Sequence, residues 1–333
     1  MNTKIRKIGG FLTQNAIYVA VVLLVVVISV FNPNFLSLNV LRDILLQCSP
    51  RVIIALGAAF VLITGGVDLS AGKVVGLTAV LSASMLQASD YERRFFPDMP
   101  QLNLWLPVLI AIAAGIVVGL INGFIVAKLD VPPFIATLGT MVIVFGANSL
   151  YFNLPPNNSQ PIGGLRPDFT DLGSGYILFV PKIIIIAIVV SAIVWVLFNK
   201  TRLGKNMYAI GGNKEAAKVS GINVGRNLLA IYAMAAALYG LGGVLIAARS
   251  GGASNNYGNM YELDAIAACV VGGVSTTGGI GTVPGILAGV VIFEVINYGL
   301  TFLGVNPYWQ MIVKGLIIVT AVAFDIRKYI AKK

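Results

Sequence analysis

Runs of apolar residues long enough to cross a bilayer recur along this chain. The hydrocarbon core is about 30 Å thick and a helix rises 1.5 Å per residue, so a crossing needs about 20 mostly apolar residues. On that measure ten spans are expected, near 14–31, 41–63, 72–88, 104–127, 134–152, 179–198, 227–247, 262–274, 284–303 and 309–325. Backbone N–H and C=O groups at that depth have no water to bond, which leaves helices or closed barrels as spanning structures. The expected fold is all-α, a polytopic membrane protein of about 10 transmembrane helices. Broken or re-entrant segments are expected within it, and residues 1–333 form a single transmembrane domain.

Composition excludes the soluble alternatives. Hydrophobic residues make up 57% of the 333 and charged residues 11%, with a mean hydropathy of +0.88. Soluble domains carry about 25% charged residues, which their surfaces need. The net charge of +10 would suggest nucleic acid in a soluble protein. Here it reads as topology, because cytoplasmic loops of membrane proteins are rich in Lys and Arg. About fifteen basic residues fall on one side of the ten spans, among them Lys4, Arg6, Lys7, Lys73, Lys128, Lys332 and Lys333, against about five on the other. Both termini are therefore expected in the cytoplasm. Ala16–Phe31 runs into Asn32-Pro33-Asn34 and not a small-residue cleavage site, so it reads as a span and not a signal peptide.

The residues absent from the chain are equally restrictive. There is no histidine, which removes His-based triads, zinc sites and haem ligation by His. Cys48 and Cys269 form no CxxC pair, and no metal site is expected. A phosphate loop needs GxxxxGK[ST]. The stretch 66–73 misses that spacing, with Val74 after the lysine, so no cofactor is expected in this chain.

Glycine is frequent, at 37 residues, and it is patterned. Gly115, Gly119 and Gly123 recur every four residues, as do Gly281, Gly285 and Gly289. Small residues at that spacing let helix backbones approach, within one subunit or across a dimer seam. Two stretches, 64–72 and 272–285, carry too much glycine to continue a helix and read as breaks along a transport pathway. Ionisable residues near membrane depth are Asp68, Lys73, Glu262, Asp264, Glu294 and Lys314. Glu294 sits mid-span and must pair with a cation such as Lys314 or stay neutral.

Residues 199–226 form a basic, amphipathic loop on the expected inner side. Asn213 suits an N-cap, Glu215 the first helical turn and Gly221 the C′ position, which predicts a two-turn helix carrying Ala216, Ala217 and Lys218. Glu215 and Lys218 are spaced to pair weakly. A helix this short is unstable alone and needs a partner surface.

Glu215-Ala-Ala-xxx-Gly221 resembles the EAA loop of ABC importer permeases, with Ile231 where that pattern places an isoleucine. Ala233 and Met234 replace its usual Leu-Pro tail, as in the ribose/galactose sugar branch of that family. Gly65-Gly-Val-Asp-Leu-Ser-Ala-Gly72, Asn122-Gly123, Pro132-Pro-Phe-Ile-Ala-Thr-Leu-Gly-Thr-Met141, Tyr261-Glu-Leu-Asp-Ala-Ile-Ala-Ala268 and the stretch 272–282 are similar to that branch. The resemblance implies a bacterial inner-membrane permease. Two copies would pair with an ABC ATPase dimer that binds ATP and Mg, and a periplasmic sugar-binding protein would dock on loops 90–104 and 153–178. The resemblance further implies that residues 213–221 couple to the ATPase and that a monosaccharide crosses by alternating access. Asp68, Asn122, Asn297 and Tyr298 are the polar and aromatic candidates for its pathway, each with a structural alternative. An ion-coupled secondary sugar transporter shares the broken helices and mid-membrane carboxylates and stays open as the alternative. A rhomboid-type enzyme lacks its histidine base.

Overall fold

The computed structural model describes residues 16–330. Lys4, Arg6, Lys7, Lys332, Lys333 and the start of the expected first span lie outside them.

The chain is predominantly helical. Helix α1 (Ala16–Phe31) leads through a short 3-10 turn, Pro33–Leu36, into α2 (Leu38–Ile63). Then come α3 (Ala71–Met85), α4 (Trp105–Lys128), α5 (Pro133–Phe152) and a surface helix α6 (Pro167–Ser174). Helices α7 (Lys182–Lys200), α8 (Arg202–Gly212), α9 (Lys214–Val219) and α10 (Val224–Ser250) follow. The chain closes with α11 (Tyr261–Val271), α12 (Val283–Phe302) and α13 (Pro307–Ile330). Helices α2, α4, α5, α7, α10 and α12 are long and apolar enough to cross a membrane. Helix α4 and the outer faces of α5 and α7 leave large apolar side chains such as Leu109, Ile143 and Ile188 exposed, as lipid-facing surfaces do. The core gathers around α2 and α10, where Phe60, Tyr232 and Tyr239 are fully buried.

The all-α expectation misses a small hairpin. Tyr176–Ile177 pairs antiparallel with Val180–Pro181 ahead of α7. Leu178 turns it at φ +56, and the flanking aromatic and β-branched residues favour extended backbone. The expected loop 199–226 is mostly helical, forming α8, α9 and the first turn of α10.

Two shorter helices, α3 and α11, begin midway along their neighbours and are each preceded by irregular chain. Gly115, midway along α4, packs on the Ala236 carbonyl midway along α10, and Val74 from the first turn of α3 meets the same point. Helix α3 thus begins halfway along its neighbours, and residues 64–70 are the irregular chain ahead of it. Lys73, expected at the inner edge, sits instead at this mid-level, where its Nζ donates to Asn259 Oδ1 at 2.8 Å. Helix α11 starts at a comparable level, since Asp264 in its first turn bonds Arg51, midway along α2. Residues 251–260 form its irregular half, and Met260, at φ +64, turns the chain into the helix.

Irregular backbone at this depth needs internal partners. The Leu69 N–H donates to the Thr137 hydroxyl at 3.1 Å, and that hydroxyl lies 3.1 Å from the Val67 carbonyl. Ala253 and Ile162 exchange both backbone bonds at 2.9 Å, and Asn255 donates to the Ser149 hydroxyl.

The glycine rows lie against other elements of the same chain. Gly115, Gly119 and Gly123 face Ala236, Tyr232 and Leu229 on α10. Gly281 lies ahead of α12 against Ile63, while Gly285 and Gly289 meet the carbonyls of Gly272 and Ala268. A Cβ at Gly119 would strike the Tyr232 carbonyl, whereas Gly139 on α5 has open space around it. Gly119→Val is expected to cost about 1–3 kcal/mol through overpacking. Gly139→Ala should be neutral or gain up to about 1 kcal/mol of helix propensity. Thermal unfolding of the detergent-purified variants checks the contrast, and equal midpoints would refute it.

Candidate functional site: a protruding helix, a charged centre and a cavity

Helix α9 has the caps its sequence specifies. Asn213 Oδ1 accepts from the Ala216 N–H at 2.9 Å. At the other end Gly221 takes φ +82, its N–H reaching Lys218 O, while the Ile222 N–H bonds Ala217 O. Ala217 alone is buried, and Glu215, Ala216, Lys218 and Val219 face outward. Val219 is 89% exposed, an apolar side chain turned outward. No Glu215–Lys218 ion pair forms among the described residues. Lys214 instead lies 3.4 Å from Asp130 on the α4–α5 turn, an exposed pair worth little.

Helix α8 connects α9 to the end of α2 and to the glycine-rich connection 272–282. Met207 and Ile210 are buried, and Asn206 donates to Asn227 at the start of α10. Gly211 is wedged against the Ile63 carbonyl and the Gly279 N–H, which themselves bond at 2.8 Å. A Cβ at Gly211 has no room there. The Tyr208 hydroxyl donates to Gly281 O at 2.8 Å. Burial pushes this phenol above its ordinary pKa, which keeps it a donor. The end of α2, the turn into residues 64–70 and the glycine-rich connection 272–282 therefore meet at the end of α8.

Of the four pathway candidates, two share a network. Asp68 Oδ1 accepts from the Ser70 N–H at 2.9 Å and from its hydroxyl at 2.6 Å, and Asn122 Nδ2 donates to the Ser70 hydroxyl at 2.9 Å. All three residues are buried, and Asp68 caps the approach to α3. Asn297 and Tyr298 lie elsewhere, on α12. Asn297 donates to Glu294 Oε1 at 3.3 Å, and Tyr298 donates to Asp43 Oδ2 at 3.3 Å.

Glu294 pairs with Arg51, at 2.5 Å, and not with Lys314. Arg51 also holds Asp264 at 3.2 Å, and Lys314 binds the same Asp264 at 3.1 Å. Two cations and two carboxylates thus join α2, α11, α12 and α13. Lys314 reaches Asp264 because α11 begins at this depth, which places the carboxylate between the two cations. Sequence reasoning left Arg51 without a role. The available signal was an arginine at the centre of an apolar 26-residue helix.

On one side Arg51 lines a cavity of about 450 Å³. It is bounded by α2, the end of α10, residues 256–259 and Tyr261. It extends from Ser250 at the end of α10 remote from α9 to Arg51 at mid-level. No sequence pattern marked residues 249–260 beyond their polarity.

Residues 40–322 match a family model described as "Branched-chain amino acid transport system / permease component". The chain belongs to this permease family. With six apolar spanning helices, the permease is a multi-pass membrane protein. It is 54% identical to the galactose/methyl galactoside import permease protein MglC of Escherichia coli K12, over 97% of each chain. The protein of the same name from Haemophilus influenzae is 53% identical, over 97% of this permease and 96% of the relative. The ribose import permease protein RbsC of Bacillus subtilis is 38% identical, over 97% and 94%. No solved structure matches the permease.

Removing one partner from a buried ion pair strands the other charge, which costs about 3–5 kcal/mol. Arg51→Met is expected to lower the permease's stability by that order. The double variant Arg51→Met/Glu294→Leu should recover part of the loss, because it removes the stranded carboxylate. A double variant no more stable than the single one would argue against this pairing.

Proposed function

We propose that this permease is the membrane-spanning subunit of an ATP-driven importer of galactose and methyl galactosides. The observation that carries this reading is the 54% identity, over nearly the whole chain, to a protein named as a galactose/methyl galactoside import permease. Membership in a family described as one component of a transport system favours a multi-chain importer over a self-contained ion-coupled carrier.

The chain crosses a bacterial inner membrane ten times. Each irregular segment plus its half helix counts as one crossing, which puts α9 and both termini on the cytoplasmic side. The basic residues of 199–226 support that orientation. A second copy completes the pore domain, an ABC ATPase dimer binds ATP and Mg, and a periplasmic binding protein delivers the sugar to loops 90–104 and 153–178.

Coupling runs through α9. Asn213 and Gly221 fix its two ends, Ala217 anchors it, and Glu215, Ala216, Lys218 and Val219 present the docking face. Closure of the ATPase dimer biases the permease only if it contacts the two access states differently. The contacts of α8 with residues 63–65 and 278–281 give that bias a route to α3 and α11. Asp68 and Asn122 fit a positioning role at the foot of α3. Asn297 and Tyr298, each engaged with a carboxylate, fit the scaffold of α12.

The test is uptake into vesicles carrying the permease, its ATPase and the binding protein, with galactose, glucose and ribose compared. Galactose transport that stops when ATP is depleted and survives an ionophore is expected, and the reverse would favour ion coupling. Glu215→Arg inverts a charge on the docking face. It is expected to cut ATP-driven uptake about tenfold or more while the permease stays folded. Undiminished uptake by a co-purifying complex would remove α9 from the coupling role.

A further inference from the structure

The cavity beside Arg51 has the size and chemistry of a small-molecule site. Its volume of about 450 Å³ falls within the range that encloses small ligands. Its polar wall includes Gln47, Asn256, Asn259, two arginines and Tyr261, with no carboxylate in the lining. Amides and guanidinium groups suit a polyhydroxylated ligand, since each hydroxyl both donates and accepts.

The two arginines differ. Arg51 uses Nη1 for both Glu294 and Asp264, so its charge is balanced behind the cavity wall. Its Nε and Nη2 carry no hydrogen bond among the described residues, which leaves N–H donors unspent in a half-buried side chain. Arg249, at the outer rim, has no ion pair among the described residues. It brings a positive charge to the rim that no carboxylate in the lining neutralises.

The floor is also informative. Gly258 lines the cavity and packs directly against Gly72 in the first turn of α3. A ligand resting on residues 256–261 therefore bears on the point where the two half helices meet.

We propose that this cavity is a monosaccharide site on the outward side of the permease. Arg51 and the amides hold the sugar hydroxyls, and Arg249 excludes protonated amino sugars. This rests on the reading of the chain as a sugar importer. It adds a location and a charge rule that the reading does not supply.

The native cysteines are both buried. Ser250→Cys therefore places an accessible thiol in the cavity wall, outside the groups assigned to the sugar, and Ile246→Cys serves as a second reporter should the first variant misfold. The full permease in lipid nanodiscs is labelled with negatively and positively charged thiosulfonate reagents, with and without galactose or galactosamine. The anionic reagent is expected to react about tenfold faster than the cationic one. Galactose should slow labelling about threefold at concentrations that occupy two thirds of the sites, and galactosamine at neutral pH should not. Arg249→Gln should bring the two reagent rates within about twofold and let galactosamine protect. Labelling that galactose leaves unchanged, in a permease whose reconstituted complex still imports galactose, overturns the site and spares the importer reading. A complex that imports no sugar overturns both. Equal reagent rates in the presence of Arg249 overturn the charge rule.

Discussion

Two stretches of irregular chain in this permease, 64–70 and 251–260, lie among long apolar helices, where an unpaired buried backbone group costs several kcal/mol. Much of the interior is arranged around that constraint. Thr137 serves residues 67–69 from α5, Asp68 serves Ser70, and Ile162 pairs with Ala253. Each irregular stretch ends in a helix that starts at mid-level, so two positive dipole ends face the centre of the molecule. Asp68, Glu262 and Asp264 stand at those ends, where a carboxylate is favoured. The mid-membrane acids that looked like isolated functional candidates in the sequence are thus tied to the half helices.

Those carboxylates in turn account for Arg51 and Lys314. A charge at the bilayer centre is tolerated when it is paired and faces the bundle interior. The cluster of Arg51, Lys314, Asp264 and Glu294 carries no formal net charge, and it crosslinks the second half helix to three long ones. Such a cluster contributes little net stability against an apolar equivalent but is expensive to break singly. Its consequence is geometric: it fixes the depth at which α11 begins.

Much of this was legible from local pattern. The caps of α9 could be read because Asn213, Glu215 and Gly221 act within a few residues of one another. The breaks near 64–72 and 272–285 could be read because glycine and proline act locally. The expected span from 134 begins within one residue of α5, because paired prolines at 132 and 133 act locally too. Depth could not be read. Residues 72–88 have the composition of a full span, and only packing against Gly115 and Ala236 reveals a helix that starts halfway. Partner choice was equally hidden. Glu294 and Lys314 are 20 positions apart, a separation that made pairing look natural, yet Arg51 lies 243 residues away in sequence and at 2.5 Å in space. The cavity escaped for a related reason, since its wall joins residues 47–51 to the distant stretch 246–261.

The meeting of α8 with the end of α2 and the connection 272–282 gives the architecture a mechanical logic. A rigid spanning helix pushed at one end moves as a body and transmits displacement without changing shape. A crossing with an irregular half can bend there, because no continuous helical ladder has to break. Gly211 touches Ile63 and Gly279 backbone to backbone, with no side chain between them to absorb motion. A displacement of α9 passed through α8 would therefore reach residues 64–70 and 272–282 together. These lead to α3 and from α11, whose starting turns pack on one another at Gly72 and Glu262, with Gly258 beside them. One input on the side of α9 would thus act on both half helices, and their junction is also the floor of the cavity beside Arg51. The same contact that carries force from α9 toward the centre would carry the presence of a ligand back toward α9, since coupling between two binding sites is reciprocal.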